Sequence, residues 1–362
     1  LLMAGELGAG GSERQLTETA RALDRALFHL HVACFRPDGM RRRELEDAGV
    51  SVLALPVRSL YKSSALLGAL QLRRYLRDHR IRLVHTFDTP TNLFGVPVAR
   101  LAGTPVVLSS QRARRELSPP LSRGLLRVTD RMVDGVVVNC QALVRHMLED
   151  EGVQPGLLHL CHNGIDTSVF HRGRIVRKGP VAGAELVVGA VCGLRPEKRL
   201  DLLLDAFAKI AAPGRRLVLV GSGTEEPALS AQAERLGLGP YIHFEPATAV
   251  VAEWLHSMDV FVLPSRTEGL SNSLMEAMAC GCAAIASDVG GNPEVVSDGS
   301  TGLLFPSGDA GALAAALARL ADNSGLRSEL GARAGALIRE RFSVADAARR
   351  MAAIYQERLD SR

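Results

Sequence analysis

Residues 265–281 read SRTEGLSNSLMEAMACG, and they carry the clearest structural signal in the chain. The apolar run at 259–263 predicts a buried strand, and a turn containing Gly269 follows it. Ser271 to Ser273 then predict the start of a helix. Such a junction points free backbone N–H groups and the positive end of a helix dipole beyond the end of the sheet, which favours binding of a phosphate.

Two carboxylates flank this predicted phosphate site. Glu268 lies on the turn and Glu276 lies within the helix, so we expect both to face one ligand. Carboxylates in those places suit the hydroxyl groups of a sugar and a ribose. Glu276 has an alternative explanation, because Ser273-x-x-Glu276 is also the pattern of a capping box, which satisfies a helix N-terminus without any ligand.

Short apolar runs alternate with helical patterns along the chain, which is typical of βαβ units and parallel sheets. The predicted strands are 50–55, 82–86, 105–109, 135–139, 186–191, 216–220, 241–244, 259–263 and 283–286. A polar stretch from His171 to Gly183 separates two series of strands and is interpreted as a linker, and 344–359 predicts a last helix. We therefore predict an α/β protein with two doubly wound domains whose ligand cleft lies between their strand carboxyl ends.

Length and composition agree with two domains, since 362 residues with 47% apolar content exceed what one core usually holds. The cysteines are Cys34, Cys140, Cys161, Cys192, Cys280 and Cys282. Their scattered spacing does not suit a zinc site, so we interpret them as reduced thiols in a cytoplasmic protein. No apolar run reaches the roughly 18 residues of a membrane span, and no signal peptide is evident. The chain begins at Leu1 without methionine, in what reads like a strand, so we expect natural residues upstream.

The positive charge lies in the first half of the chain. Residues 1–170 contain 22 Lys and Arg against 17 Asp and Glu, whereas the remainder contains 21 against 22. This excess would suit anionic lipid headgroups, a polyanionic acceptor or nucleic acid, and its alternative explanation is a set of solvated helix faces. Nucleic acid is the least supported partner, because only 4% of the chain is aromatic.

A basic cluster, Gly193-Leu-Arg195-Pro-Glu-Lys198-Arg199, follows the strand predicted at 186–191. Arg195 and Lys198 lie at the sheet edge where α/β proteins bind ligands, so they are candidates to hold a diphosphate leaving group. A solvated basic turn is the alternative. Gly221 ends the next strand, where a glycine either lets backbone approach a ligand or simply makes the turn.

A glycine-rich loop, Gly8-Ala-Gly10-Gly11-Ser12-Glu13, follows the first strand and precedes a helix. It lacks the G-x-G-x-x-G spacing of a dinucleotide fingerprint, and no acidic residue ends a following strand about 20 positions on. It suits an anion-binding loop at a helix start.

Six motifs in order resemble the family-four retaining glycosyltransferases, also called glycosyl transferases group 1. They are GGSE at 10–13, NGID at 163–166, GLRPEK at 193–198, EGLSNSLMEAMACG at 268–281, DVGGNPE at 288–294 and GLLFP at 302–306. The resemblance covers nearly the whole chain and implies the GT-B fold of two Rossmann-like domains facing across a cleft. It implies an acceptor-binding domain at 1–168, a donor-binding domain at 169–343, and a C-terminal segment, 344–362, that packs back on the first domain.

The resemblance also implies roles for individual residues. Arg195 and Lys198 would hold the donor diphosphate, Glu268 would hold sugar hydroxyls and Glu276 would bind the ribose. The other implied donor-binding residues are Gly10, Gly11, Gly193, Gly221, Gly269, Leu270, Ser271 and Asn272. The implied reaction retains anomeric configuration and needs no metal and no cofactor beyond the nucleotide sugar. A donor phosphate oxygen would take the acceptor proton, and Glu268 would orient the sugar, with a nucleophilic role for it as the alternative.

One departure from the family concerns a histidine that often follows the strand at 105–109. Ser109-Ser110-Gln111-Arg112 stands there instead. Gln111 and Asn163 are candidates for sugar or acceptor contacts, and His85 is the nearest histidine at a strand end, so it is a catalytic candidate or a packed core residue. Some relatives in bacterial exopolysaccharide clusters share the pattern without histidine, which weakly favours that pathway.

We therefore predict a transferase that moves a hexose or an N-acetylhexosamine from a UDP-sugar, with GDP-mannose as the alternative donor. The acceptor would be a glycan or lipid-linked molecule of cell-envelope or exopolysaccharide synthesis. The protein would be cytoplasmic, with peripheral contact to the inner face of an anionic membrane. Two alternatives remain: a nucleotide-sugar 2-epimerase or soluble disaccharide synthase on the same fold, and a non-catalytic subunit that binds a nucleotide sugar or a polyanion.

Overall fold

The structure is a computed structural model that describes residues 1–173 and 177–362. Residues 174–176 of the predicted linker lie outside the described residues. The chain divides into two compact units. Unit 1 comprises Leu1–Gly164 together with Val344–Arg362, and unit 2 comprises Ile165–Ser343.

Unit 1 contains a seven-stranded parallel sheet in the order β3-β2-β1-β4-β5-β6-β7. Its strands are β1 (Leu2–Glu6), β2 (His31–Arg36), β3 (Ser51–Ala54), β4 (Leu83–Thr86), β5 (Val106–Gln111), β6 (Gly135–Val138) and β7 (Leu158–Leu160). Its helices before the linker are α1 (Gly11–Ala22), α2 (Met40–Asp47), α3 (Ser63–Asp78), α4 (Thr89–Leu101), α5 (Pro120–Asp130) and α6 (Gln141–Glu149). The chain order reverses between β1 and β4, which is the switch point where doubly wound sheets open a crevice.

Unit 2 contains a six-stranded parallel sheet in the order β10-β9-β8-β11-β12-β13. Its strands are β8 (Leu186–Val191), β9 (Arg215–Val220), β10 (Ile242–Glu245), β11 (Val260–Leu263), β12 (Ala283–Ser287) and β13 (Leu303–Phe305). Its helices are α7 (Leu200–Ala208), α8 (Glu226–Arg235), α9 (Val251–Ser257), α10 (Asn272–Ala279), α11 (Asn292–Val295), α12 (Ala310–Ala321) and α13 (Ser324–Arg341). The predicted fold class, two doubly wound parallel-sheet domains, is confirmed.

The central strands of both sheets are buried on both faces, which is why they read as continuous apolar runs rather than as alternating patterns. Val136, Val137 and Val138 of β6 illustrate this, as do all four residues of β11, since none of them is more than 1% exposed. Burial of β-branched side chains on both faces stabilises a strand that local preference alone would leave marginal.

The last helix, α14 (Val344–Asp360), belongs to unit 1 although it follows unit 2 in the chain. It packs beside α1, and its residues Met351, Ile354 and Tyr355 are part of the core around β1 and β2. This confirms that the C-terminal helix crosses back to the N-terminal domain. Within residues 1–173 and 177–362, no helix combines the length and the apolar character needed to cross a bilayer.

Candidate functional site

The candidate site of unit 2 lies at the carboxyl ends of β8 and β11. The Lys198 Nζ atom donates to Glu268 Oε1 at 2.5 Å, and the Ser265 hydroxyl donates to the same oxygen at 2.7 Å. The Lys198 and Glu268 side chains are only 12% and 10% exposed. The structure thus brings together an ammonium and a carboxylate from two turns that are 70 residues apart in the chain.

A backbone contact joins the turns that carry this pair. Lys198 ends a one-turn 3₁₀ helix, Pro196–Lys198, which follows β8. The backbone N–H of Arg266, in the turn after β11, donates to the carbonyl oxygen of Glu197 at 2.8 Å. Because this hydrogen bond lies between two neighbouring strands of the sheet, the relative position of Lys198 and Glu268 is set by backbone rather than by flexible side chains.

Arg195 lies apart from the Lys198–Glu268 pair. Its side chain is 61% exposed, and its Nε donates to Glu197 Oε1 at 3.0 Å. The alternative of a solvated basic turn therefore fits Arg195 in this structure but does not fit Lys198. An exposed cation at this edge is free to turn toward a ligand, because its surface ion pair contributes little to stability.

Two glycines at the site are required by close backbone approach. Gly221 follows β9, and a Cβ atom added there would lie 1.9 Å from the carbonyl oxygen of Cys192. Gly290 has φ of +57°, and its added Cβ would lie 2.1 Å from the carbonyl oxygen of Glu268. Gly193 differs, because its added Cβ would meet only the Arg195 side chain, at 3.4 Å. Close packing thus explains why glycine is required at positions 221 and 290. It does not explain the glycine at position 193.

Helix α10 begins shortly after Glu268 in the chain, and its N-cap residue Ser271 is buried. Ser271 is the N-cap, and its hydroxyl accepts from the backbone N–H of Leu274 at 3.3 Å. Glu276 is the fifth residue of the helix and is 2% exposed. A capping box needs the acid at the third helical position, so the capping-box alternative for Glu276 is wrong. Its carboxyl group is buried and does not cap the helix.

In unit 1, Gly10 and Gly11 lie where the sequence predicts an anion-binding loop. Gly10 is the N-cap of α1 and Gly11 is its first residue, and both are exposed. Gly10 has no side chain with which to cap this helix end. Glu13, in the first turn, lies over Gly10, and burial raises the pKa of its carboxyl group.

His85 is buried and both of its ring nitrogens are occupied. Its Nδ1 lies 2.6 Å from the Tyr355 hydroxyl of α14, and its Nε2 lies 2.9 Å from the Ser110 hydroxyl. Burial disfavours the imidazolium and lowers the pKa of His85 well below its usual value. These contacts favour the alternative interpretation of His85 as a packed core residue, which joins β4 to the C-terminal helix, and they argue against the predicted catalytic role.

Gln111 is also committed to internal contacts. Its Oε1 accepts from Arg115 Nε at 3.1 Å, and its Nε2 donates to the carbonyl oxygen of Ala113. Its side chain therefore braces the turn after β5, which argues against the predicted sugar contact. Asn163 lies nearby at the same sheet edge, where its Oδ1 accepts from Arg112 at 2.8 Å and from Asn139 at 3.4 Å.

Sequence reasoning missed two residues at this edge, Arg112 and Asn139. Each immediately follows a strand, β5 and β6 respectively, at the carboxyl edge of the sheet. Their position as polar residues directly after an apolar strand is the sequence signal that could have identified them. The hydrogen bonds that they make are visible only in the structure.

Comparisons with known proteins agree with this architecture. The family model described as Glycosyltransferase Family 4 matches residues 9–169, and the model described as Glycosyl transferases group 1 matches residues 185–323. A D-inositol 3-phosphate glycosyltransferase of Streptomyces bingchenggensis is 31% identical over 321 residues, which are 83% of this chain and 66% of that protein. One from Mycobacterium ulcerans is 32% identical over 230 residues, which are 60% of this chain and 49% of that protein. The chain thus spans about two thirds of the length of the first relative and about half of the length of the second.

Solved structures show the same fold. A structure of Anabaena Alr3699/HepE in complex with UDP-glucose is similar with a TM-score of 0.84 and 22% identity over 98% of both chains. A sucrose-phosphate synthase from Thermosynechococcus elongatus is similar with a TM-score of 0.86 and 20% identity, over 100% of this chain and 99% of that one. At these identities the likeness establishes the fold alone.

Proposed function

Because the chain belongs to the family-four, group 1 glycosyltransferases, we propose that it transfers a hexose or an N-acetylhexosamine from a nucleotide diphosphate sugar to a glycan or lipid-linked acceptor. The observation that carries this proposal is the partly buried Lys198–Glu268 pair, which lies at the ligand-binding edge of the unit 2 sheet. An ion pair that only stabilises the fold can lie anywhere in the protein. A donor site requires a cation for phosphate and a carboxylate for sugar hydroxyls at the ligand-binding edge.

The proposed chemistry follows from the charges of this pair. On donor binding, Lys198 Nζ holds a phosphate oxygen and stabilises the negative charge that develops on the departing nucleotide diphosphate. Glu268 then accepts hydrogen bonds from sugar hydroxyls, and the N-terminal backbone of α10, from Ser271, adds donors for the distal phosphate. Arg195, which is exposed, closes on the diphosphate from the rim. We propose that the reaction retains anomeric configuration and that these cations make a metal unnecessary.

A UDP-sugar is the favoured donor in this proposal. The similar structure of HepE is described in complex with UDP-glucose, which supports uridine as the base. GDP-mannose remains the alternative donor. The buried carboxylate of Glu276 is proposed to accept hydrogen bonds from the ribose, because ribose hydroxyls recur in every nucleotide donor.

Melting temperatures with UDP, GDP, ADP and their common sugar conjugates, each with and without magnesium, test the donor site. UDP is expected to raise the melting temperature without magnesium, because a ligand at 100 times its Kd stabilises the native state by about 2.7 kcal/mol. Glu276→Gln is expected to weaken UDP binding roughly tenfold, since a hydrogen bond to a charged group contributes about 1.5–3 kcal/mol. Glu234→Gln, an exposed change in α8, is the control and should bind UDP as the wild type does. A chain that no nucleotide stabilises would not be a transferase of this kind.

Two alternative functions are separated by a second assay on the same protein. A nucleotide-sugar 2-epimerase converts its donor without an acceptor, and a disaccharide synthase acts on a soluble sugar. A non-catalytic subunit binds the donor and leaves it unchanged. Incubating a radiolabelled donor alone, with soluble sugars, or with a membrane lipid extract therefore assigns the chain to one class by the product that carries the label.

A lipid-linked acceptor of envelope or exopolysaccharide synthesis is supported by an exposed apolar face on unit 1. The face, which we call the α5 face, consists of Leu117, Leu121, Leu125 and Val128, which are between 41% and 64% exposed. The last three residues lie four and three positions apart and thus on one side of the helix. Arg123 and Arg131 of the same segment are cationic. We propose that this face contacts an anionic membrane surface peripherally.

Sedimentation with phospholipid vesicles tests the membrane contact. The wild-type chain is expected to bind vesicles that contain anionic lipid and to bind neutral vesicles less. Leu121→Ser with Leu125→Ser should lower binding to anionic vesicles at least tenfold, because each buried leucine contributes about 1.5–3 kcal/mol. Leu236→Ser, at an exposed leucine of unit 2, is the control. Equal binding by the double variant and the control would exclude the α5 face as the membrane contact.

A further inference from the structure

Arg112 is a partly buried cation without a carboxylate partner. It follows β5, its Nη1 donates to Asn163 Oδ1 at 2.8 Å, and its guanidinium carbon lies 4.9 Å from the centre of the Phe87 ring. Its Nε is buried and makes no hydrogen bond, and none of the ion pairs formed within residues 1–173 and 177–362 involves it. The cation–π contact and one neutral acceptor thus satisfy only part of the hydrogen-bonding capacity of the guanidinium group.

The neighbouring arginines show how unusual this is. Arg114 pairs with Glu116 at 2.9 Å, and Arg115 pairs with Asp130 at 2.7 Å. Arg114 is thus paired with a carboxylate of the same turn and Arg115 with one at the end of α5, whereas no ion pair among the described residues involves Arg112. Burial lowers the pKa of Arg112 to about 10, so the side chain remains charged at neutral pH. Glu13 raises the pKa of Arg112 from a distance without forming an ion pair with it, so the partly buried charge still destabilises the fold, and an anion bound to it would reduce that penalty.

Asn139 provides a second unfilled polar atom beside Arg112. It follows β6, is 3% exposed, and donates through Nδ2 to the same Asn163 oxygen that accepts from Arg112. Two donors on one oxygen lie side by side, so the guanidinium and the Asn139 amide are neighbours. The Asn139 Oδ1 atom is buried and makes no hydrogen bond among the described residues. It therefore lacks a donor such as a hydroxyl group.

We propose that Arg112 and Asn139 form a subsite for a hydroxylated anion on the acceptor, with a phosphate or carboxylate group on Arg112 and a neighbouring hydroxyl on Asn139 Oδ1. This deepens the proposed function and rests on it for the meaning of acceptor. The acceptor class that follows is a sugar phosphate, a phosphate-linked lipid sugar or a uronic acid. The donor diphosphate is a second source of the same anion, but Lys198 and the start of α10 in unit 2 already provide for it.

Calorimetric titration of the full chain, saturated with UDP, tests the subsite. The probes are glucose 6-phosphate, glucuronate, inorganic phosphate and neutral glucose. At least one anionic sugar is expected to bind more tightly than glucose. Arg112→Gln should weaken that binding about 10- to 100-fold, since hydrogen bonds to charged groups are the strong ones. Arg112→Lys keeps the charge but not the planar donor set, so its affinity for the anionic sugar should lie between those of the wild type and Arg112→Gln.

Asn139→Ala separates the two halves of the subsite. This change is expected to weaken the binding of the hydroxylated anions several-fold. The binding of inorganic phosphate should stay unchanged, because a phosphate ion offers no sugar hydroxyl to Oδ1. Arg114→Gln is the matched control, since this arginine lies two residues away, has a side chain that is 40% exposed and is paired with its own carboxylates. It should bind every probe as the wild type does.

Three results would overturn the proposal. The first is that no anionic probe binds the UDP-saturated wild-type chain at millimolar concentration. The second is that both Arg112 variants bind the anionic sugars normally while their melting temperature falls, which would make Arg112 structural. The third is that Arg112→Gln weakens UDP itself, which would assign the donor diphosphate to Arg112. Failure of the wild type to bind UDP is a different result, because it contradicts the proposed function.

Discussion

Alanine at position 198 is expected to lower the rate of sugar transfer about 100- to 1,000-fold, because removing one preorganised donor from a developing negative charge costs about 2.7–4 kcal/mol in the transition state. The Lys198 ammonium is 12% exposed and bonded to Glu268, so it is held in place before the donor arrives. Such a group needs little reorganisation when the diphosphate departs. Steady-state release of the nucleotide diphosphate, with the donor found by the melting panel, measures the effect.

Two further variants separate charge stabilisation from loss of structure. Lys209→Ala removes an exposed lysine from the end of α7 and should leave the rate unchanged. Lys198→Arg keeps the charge but changes the donor geometry, so an intermediate rate is expected. The melting temperature of Lys198→Ala shows whether Glu268 tolerates the loss of its partner. A folded Lys198→Ala chain with the wild-type rate would remove Lys198 from the reaction.

The strands of unit 2 could be predicted because parallel strands that are buried on both faces are continuous apolar runs. The strand predicted at 186–191 matches β8, and the one predicted at 259–263 differs from β11 by one residue. Strands β7 and β13 were missed, since each has only three residues and three residues carry no periodicity. Strand β2 was also missed, although its buried run Val32–Cys34 is the same kind of signal.

Site residues that directly follow a strand could be predicted from the sequence. The hydrogen-bond partners that other elements bring to a residue could not. Lys198 and Glu268 each follow a strand, and parallel strands carry such residues to one edge. His85 has the same position, but Tyr355 arrives from 270 residues away and occupies its Nδ1. The pattern around Glu276 contains two serines, and only the backbone shows that Ser271 is the cap.

Methionine in place of Arg115 is expected to lower the free energy of unfolding by about 3–5 kcal/mol, because it leaves a buried carboxylate without its cation. The Arg115 side chain is 1% exposed. Its guanidinium nitrogens bond both oxygens of Asp130, at 2.7 and 2.9 Å, and its Nε bonds Gln111. The side chain of Glu151, also fully buried, lies 3.6 Å away. Urea unfolding, followed by circular dichroism, measures the change.

Arg114→Met is the control for this change, because the Arg114 side chain is 40% exposed and its ion pairs should contribute at most about 1 kcal/mol. If Arg114→Met and Arg115→Met lowered the free energy of unfolding equally, the burial of Arg115 would not increase its contribution to stability. Arg115→Met combined with Asp130→Leu removes both partners of the main pair, so it should recover part of the loss. Because Arg115 braces the turn that carries Arg112, the folded single variant should also bind anionic sugars less tightly, although Arg115 itself is fully occupied by Asp130 and Gln111.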